Sequence, residues 1–188
     1  MKRFPIQILV VLFLFATSAF AQQSNGPVAV LVDQIGGRSR PLNSAAGTLT
    51  KTQSGSSVAA AERRAFELMN AERQAGGLPL LEWSGEAAAL ARLHAQSMAE
   101  GKFFSHKGLD GQTVDGRASR MGVKWRAIGE NIATMKGYDD PASKAVETWL
   151  NSTAHKRNML NGVYNQSAIG AAVASDGTFY FTQVFLSQ

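Results

Sequence analysis

The spacing of apolar residues predicts four helices in the chain from Val58 onward. In each segment, apolar or small side chains recur three and four positions apart, as they do on one face of an α-helix. Residues with known preferences for helix ends bound these segments, which run from Val58 to Gly76-Gly77, Ser84 to Gly101, Thr113 to Gly122 and Asp140 to Trp149. A short fifth helix is predicted from Ser152 to near Asn161-Gly162.

The C-terminal part of the chain changes to a strand period. Two β-prone runs, Ile169–Ala174 and Phe179–Phe185, flank an Asp176-Gly177 turn, which is typical of a β-hairpin. Large apolar groups lie on both faces of the second run, so the sheet needs a cover on each side. With another strand predicted near Trp125–Ile128, the pattern predicts an α+β fold, a three-layer α-β-α sandwich around a central, mainly antiparallel sheet.

The first 57 residues lack this pattern. A basic start, an apolar run over residues 7–17 and small residues ending at Ala21 predict a secretory signal peptide, residues 1–21, cut after Ala21. The alternative is a membrane-anchoring helix, but the apolar run is too short to span a bilayer comfortably. Residues 22–57 are rich in Ser, Gly, Thr and Gln and predict a flexible lead-in, which leaves residues 58–188 as the folded domain.

Composition and charge narrow the functions open to an exported domain. The chain has no cysteine and therefore no disulfides, so its stability must come from its hydrophobic core. Removing residues 1–21 takes away Lys2 and Arg3 and lowers the formal net charge from +5 to +3. This excess is too small and too dispersed to indicate nucleic acid as a partner. No other segment has the ~20 consecutive apolar residues of a membrane span, which predicts a secreted or periplasmic protein.

Three residues of the second half are candidates for a functional site. His106 follows two aromatic residues in a loop, where histidines often serve in binding or catalysis. Glu130 lies inside the apolar run Ile128–Ile132, where a carboxylate must be paired or face a cleft. His155 lies in the first turn of the helix that Ser152 caps. Two imidazoles and a carboxylate can bind a metal ion or transfer protons if the fold brings them together.

The remaining histidine and the neighbouring cations are interpreted differently. His94 belongs to the apolar stripe of the second predicted helix, so it is predicted to be a buried, hydrogen-bonded core residue and not a ligand. Lys156 and Arg157, beside His155, are interpreted as solvated and not catalytic.

Several short motifs together resemble those of the CAP superfamily, whose domain is also called the SCP domain. They are Met69-Asn70-x-x-Arg73, Leu80-Leu81-Glu82-Trp83, Phe104-Ser105-His106, Gly129-Glu130-Asn131-Ile132, Trp149-x-x-Ser152-x-x-His155-Lys156-Arg157-Asn158-Met159-Leu160 and Tyr180-Phe181-Thr182-Gln183-Val184-Phe185. The similarity covers roughly residues 60–188 and is greatest to the cysteine-free bacterial branch of this superfamily of cysteine-rich secretory, antigen 5 and pathogenesis-related 1 proteins. Each motif alone is weak, but their order along the whole domain is specific.

The resemblance implies an α-β-α sandwich with a large open cleft. In much of the family this cleft holds two histidines and two glutamates, and the histidines can bind a divalent ion such as zinc. If the family's cleft residues are assigned to the matching positions of this chain, His106 and His155 would be the metal-binding histidines and Glu130 the first glutamate. The second glutamate usually lies three residues after the tryptophan at position 149, where this chain has Ser152. The implied cleft therefore consists of His106, Glu130, Ser152 and His155, without the paired carboxylates that acid/base catalysis would use.

These observations lead to three hypotheses of function. The favoured one is a secreted, non-enzymatic module that binds a lipid, a sterol or a cell-wall component in the cleft. The second is a metal-assisted hydrolase in which His106 and His155 hold zinc or another divalent cation and Glu130 activates the water. The third is a structural role in which His155 bonds Glu130 and ties a helix to the sheet. Neither Ser105 nor Ser152 lies in a nucleophile elbow, which argues against a serine hydrolase.

Overall fold

The computed structural model describes residues 46–188, which form five helices and four strands. The helices are α1 (Ala46–Ala75), α2 (Gly85–Gly101), α3 (Val114–Arg120), α4 (Pro141–Asn151) and α5 (Thr153–Met159). The strands are β1 (Glu82–Trp83), β2 (Ala127–Met135), β3 (Gln166–Val173) and β4 (Phe179–Ser187). Within this part of the chain, no helix combines the length and the apolar character needed to cross a bilayer.

Two predicted capping residues hold the starts of their helices by side-chain hydrogen bonds. Ser84 Oγ accepts a hydrogen bond from the Ala87 N–H at 3.2 Å, and Asp140 Oδ1 accepts one from the Ser143 N–H at 3.0 Å. Each bond satisfies a backbone donor that has no partner within the first turn of the helix. Pro141 follows Asp140 in the first turn of α4, where its missing N–H removes no helical bond. The sequence therefore determines where α2 and α4 begin.

The first helix begins earlier than the apolar pattern indicated. The sequence predicted a lead-in up to residue 57 and a helix from Val58, whereas α1 begins at Ala46. Residues 46–57 have no apolar stripe, and a nucleated helix extends without one because each added residue gains a backbone hydrogen bond. The predicted signal peptide, residues 1–21, and residues 22–45 of the predicted lead-in lie outside the described residues.

The four strands form one mixed sheet in the order β1-β3-β4-β2. The short β1 pairs with β3 in parallel, and β4 lies antiparallel to both β3 and β2. The predicted hairpin is confirmed, since Val173 pairs with Phe179 across a turn in which Gly177 adopts a φ of +82°. The sheet is thus mainly antiparallel, and β2 forms one of its edges.

Helices cover both faces of this sheet, which confirms the three-layer sandwich. Successive strand residues point to opposite faces, so β4 contributes to two separate cores. Phe181 and Phe185 pack with α1, α4 and α5, whereas Val184 and Leu186 pack with α2 and α3. Trp149 of α4 is fully buried in the first core, and its Nε1–H donates a hydrogen bond to the Ile132 carbonyl of β2 at 3.0 Å.

Both helical layers contact β3 closely. Gly170 lies against the backbone of α2, and the Ala171 N–H donates a hydrogen bond at 3.0 Å to Glu62 Oε1 of α1. The same carboxylate pairs with Arg92 Nη2 of α2 at 2.5 Å. Glu62 is buried, so its charge is compensated by a strand donor and by a cation from the opposite layer.

Replacing Gly170 with alanine should destabilise the domain. The added methyl carbon would lie 2.2 Å from the Arg92 nitrogen and 2.4 Å from the Ala91 carbonyl carbon, and neither backbone atom can move without shifting α2 from the sheet. We expect a loss of about 1–3 kcal/mol in the free energy of unfolding, measured by chemical denaturation. Gly85→Ala is the matched control, because a side chain there meets nothing within 4 Å. An equal effect of both substitutions would contradict the packing argument.

Candidate functional site

The candidate site is built around two neighbouring residues of the edge strand β2. Glu130 is paired with Val184 in the sheet register and Asn131 with Gln183, so their side chains point to opposite layers of helices. Glu130 faces α2 and α3, and Asn131 faces α5. One dipeptide therefore anchors polar groups on both sides of the sheet.

The Glu130 carboxylate is buried and both of its oxygens are engaged. Its side chain is only 3% exposed. Oε1 lies 2.8 Å from Nδ1 of His106, and Oε2 accepts a hydrogen bond from Nη2 of Arg117. Arg117 is also nearly buried, with 7% of its side chain exposed, so this is a desolvated ion pair between α3 and β2. A buried carboxylate tolerates desolvation only when it is compensated in this way.

Arg117 also orders the loop that carries His106. Its Nη1 donates hydrogen bonds to the carbonyl oxygens of His106, at 3.1 Å, and Gln112, at 2.9 Å. The same guanidinium thus holds the glutamate and the backbone of the histidine that contacts it. The sequence alone does not identify Arg117 as the partner of Glu130. Glu130 required a cationic partner, but Arg117, Arg120 and Arg126 all lie in nearby segments, and the sequence pattern did not distinguish between them.

On the other face of β2, asparagine side chains position α5. Asn158 Nδ2 donates to Asn131 Oδ1 at 3.0 Å and to the Glu130 carbonyl at 3.2 Å. Asn131 Nδ2 in turn donates to the His155 carbonyl at 3.2 Å. These bonds fix the helix that presents the second histidine. In the sequence, Asn131 and Asn158 stand out only as parts of family motifs, and the structure gives both a positioning role.

His155 faces His106 across the edge of the sheet. The centroids of the two imidazole rings lie 6.4 Å apart, and the planes are tilted by 46°. His106 is half-exposed, whereas His155 is partly buried and its Nδ1 has no hydrogen-bond partner in residues 58–188. Burial, and to a lesser extent the neighbouring His106, lower the pKa of His155. The hypothesis that His155 bonds Glu130 is wrong, because the imidazole at Glu130 Oε1 is that of His106.

His94 is a core residue, as the sequence predicted. It is 1% exposed, and its Nε2 lies 2.9 Å from the Ser105 carbonyl oxygen. Because a carbonyl only accepts, this contact requires the tautomer in which Nε2 carries the proton and donates it. Its burial is the largest of the effects that lower its pKa. The same Nε2 lies 4.0 Å from Glu130 Oε1, so His94 forms the inner wall behind the carboxylate. The ring therefore supports the loop at Ser105-His106 from inside.

Ser152 lies at the junction between α4 and α5. Its backbone N–H donates to the Trp149 carbonyl at 3.2 Å, and its carbonyl accepts from the Lys156 N–H at 2.8 Å. It is the predicted N-cap residue of α5, but its side chain makes no capping hydrogen bond. The helix ends at Met159, slightly before the predicted end near Asn161-Gly162.

Glu130 is not available as a metal ligand, which leaves His106 and His155 as the remaining candidates. No group of three or more histidine or acidic side chains within residues 58–188 is arranged to hold a metal ion. Both Glu130 oxygens already contact His106 and Arg117. A carboxylate that contacts Nδ1 of a histidine leaves Nε2 available and fixes the ring, as partners of metal-binding histidines commonly do.

Comparison with known proteins relates the chain to one family. The family model described as "CAP: Cysteine-rich secretory protein family" matches residues 66–185. The protein YkwD of Bacillus subtilis (strain 168) is 34% identical over 141 residues, which cover 75% of this chain and 52% of that protein. The chain therefore spans about half the length of this curated relative.

Solved structures agree with this assignment. An extracellular protein containing an SCP domain from Bacillus anthracis str. Ames is similar with a TM-score of 0.58 and 31% identity, over 69% of this chain and 41% of that chain. An outer surface protein from Borrelia burgdorferi has a TM-score of 0.59 at 20% identity, over 65% of this chain and 89% of that chain. The second similarity concerns the fold alone.

Replacing Glu130 with glutamine should destabilise the domain. The substitution preserves the shape of the side chain but leaves Arg117 buried without a countercharge. We expect the free energy of unfolding to fall by roughly 3 kcal/mol, measured by chemical denaturation at neutral pH. The matched control is Glu147→Gln, because Glu147 is 57% exposed and pairs with Lys144 at the surface. A small, equal effect of both substitutions would show that the buried pair does not hold the site together.

Proposed function

Since this chain belongs to the CAP (cysteine-rich secretory protein) family, we propose that it is an exported, non-enzymatic module whose cleft binds a lipid, a sterol or a cell-wall component. The arrangement of His106 and His155 carries this proposal. The two imidazoles approach from opposite layers at the edge of the sheet, with 6.4 Å between ring centroids. A ligand between them would meet polar groups on both sides without unfolding any element.

The site is better suited to binding than to hydrolysis. A general base must reach the proton that it removes, but both oxygens of Glu130 are engaged and its side chain is only 3% exposed. The nearby Ser105 Oγ accepts a hydrogen bond from the Lys107 N–H at 3.0 Å. Within residues 58–188, neither the Ser105 nor the Ser152 hydroxyl is hydrogen-bonded to a histidine or a carboxylate that could activate it.

The class of ligand follows from the proposed location. The predicted signal peptide indicates export, and two structural relatives are described as an extracellular protein and an outer surface protein. A protein outside the cytoplasm meets membrane lipids and cell-wall polymers at high local concentration. Both are larger than the space between two imidazoles, so we propose that the histidines contact one polar group of the ligand.

Divalent-metal binding is a second candidate function of the same residues. It is favoured by the contact between His106 Nδ1 and Glu130 and by the unpartnered Nδ1 of His155 within residues 58–188. Two imidazoles on one tetrahedral zinc ion, with Zn–N bonds of ~2.1 Å, have ring centroids about 5 Å apart. The observed 6.4 Å requires the rings to approach by roughly 1 Å. With only two protein ligands, such a site would bind zinc weakly and leave positions for water or a ligand group.

Ligand binding can be tested with one probe from each proposed class. We expect saturable binding of a fluorescent fatty acid, a fluorescent sterol or a soluble cell-wall fragment, measured by equilibrium titration. Replacing both His106 and His155 with alanine should weaken that binding at least about tenfold, because the two polar contacts are lost. Lys124→Ala, an exposed substitution away from the site, should leave the affinity unchanged. Failure of all three probes to bind the folded protein would overturn the proposal.

Zinc binding can be tested separately by calorimetry. We expect about one ion per chain and no binding to the His106→Ala, His155→Ala double variant. Glu130→Gln should weaken zinc binding about 10- to 100-fold, because the carboxylate no longer orients His106. Glu147→Gln is the control, since it removes an exposed carboxylate that pairs with Lys144 at the surface and contacts neither histidine. Zinc binding that survives the double variant, or is lost in the Glu147 variant, would contradict the assignment of ligands.

A further inference from the structure

A second concave surface lies beside α5. It is an open groove of about 800 Å³ between the end of α4, the side of α5 and the segment that follows α5. In an α-helix each residue advances by about 100°, so Lys156 and Arg157 lie about 100° and 200° around α5 from His155. The groove, which both cations line, is therefore separate from the candidate cleft.

The groove carries positive charge without a compensating acid. Lys156 and Arg157 are exposed and line it, and none of its lining residues is acidic. Neither cation forms an ion pair with a carboxylate in residues 58–188. Glu147, one turn before the groove residue Leu150 on α4, is already paired with Lys144 at 2.8 Å. Both cations thus remain available to an anion from outside.

A third cation lies behind the same surface. Arg73 of α1 is 1% exposed and donates hydrogen bonds to the carbonyls of Met159, at 2.8 Å, and Asn161, at 2.9 Å. Its remaining bond goes to the Pro79 carbonyl, and no carboxylate in residues 58–188 pairs with it. A buried charge is weakly screened by salt. Because Asn161 lines the groove, Arg73 adds positive potential beneath it.

The neutral polar groups of the groove also favour an acceptor. Asn161 Oδ1 accepts a hydrogen bond from the Val163 N–H at 3.0 Å, which directs the amide so that its Nδ2 donors are left for a ligand. Thr153 supplies a hydroxyl, and the Lys156 and Arg157 side chains supply only donors. Non-bridging phosphate oxygens carry charge and only accept hydrogen bonds, and lysine and arginine are their usual protein partners.

We propose that this groove binds a chain molecule that carries several phosphate groups. The size of the groove supports an oligomer over a single ion, since 800 Å³ equals the volume of roughly 25 water molecules. Lys156 and Arg157 bind successive phosphates, and Asn161 contributes a neutral donor between α5 and the following segment. Leu150 and Leu160 form the apolar part of the surface beside these polar groups.

The proposal is tested with inorganic polyphosphate of defined length as the probe, titrated into the protein at near-physiological salt. We expect saturable binding, and much weaker binding of orthophosphate. Lys156→Gln with Arg157→Gln should weaken polyphosphate binding at least about tenfold, because two charge-assisted contacts are lost. Asn161→Asp keeps the acceptor for Val163 but adds a negative charge to the groove, and should also weaken binding. The unfolding temperatures of both variants should lie within a few degrees of that of the unsubstituted protein.

The control separates a specific groove from general attraction to a basic protein. Lys124→Gln with Arg126→Gln also removes one lysine and one arginine charge, but from exposed positions outside the groove. This double variant should change the affinity by less than about twofold. Equal losses in the two double variants would overturn the proposal in favour of attraction by net charge. Equal affinity for a polycarboxylate such as polyglutamate would overturn the assignment to phosphate. Absence of polyphosphate binding would overturn the proposal that the groove binds phosphate chains.

Discussion

The buried ion pair between Glu130 and Arg117 is the constraint on which the site depends. Removing a carboxylate and a guanidinium from water costs several kcal/mol for each ion, and the cost is offset only when their geometry is well matched. Here the same guanidinium also donates to two carbonyls of the loop before α3. A loop that moved would leave buried donors without partners. Polar contacts, more than apolar contacts, therefore hold His106 in place.

The helix that carries the second histidine is held by the same means. Asn131 and Asn158 connect β2 to α5, and Arg73 donates to the carbonyls at the end of that helix. Only Met159 of the seven residues of α5 is fully buried, so its apolar contacts alone would position it poorly. A hydrogen bond from the sheet thus holds the His106 imidazole directly, whereas for His155 it holds the backbone of the helix that carries the ring.

The sequence was most informative where a feature has a local cause. Capping by Ser84 and Asp140, the turn at Gly177 and the buried stripe around His94 each arise from residues close together in the chain, and all were predicted correctly. The pairing of Glu130 with Arg117 depends on how α3 lies against β2, which no local pattern encodes. The start of α1 at Ala46 was missed because residues 46–57 carry no apolar period. Similarly, His106 rather than His155 contacts Glu130 because of tertiary geometry alone.

The side-chain bonds to β2 also affect how the protein behaves toward other copies of itself. An edge strand normally offers a row of free carbonyl and N–H groups that can template pairing with another chain. In β2 the carbonyls of Glu130 and Ile132 are already occupied by the Asn158 amide and the Trp149 indole. An incoming strand would have to displace both groups before it could pair there. The contacts that hold α4 and α5 against β2 therefore also protect a nine-residue edge strand from aggregation.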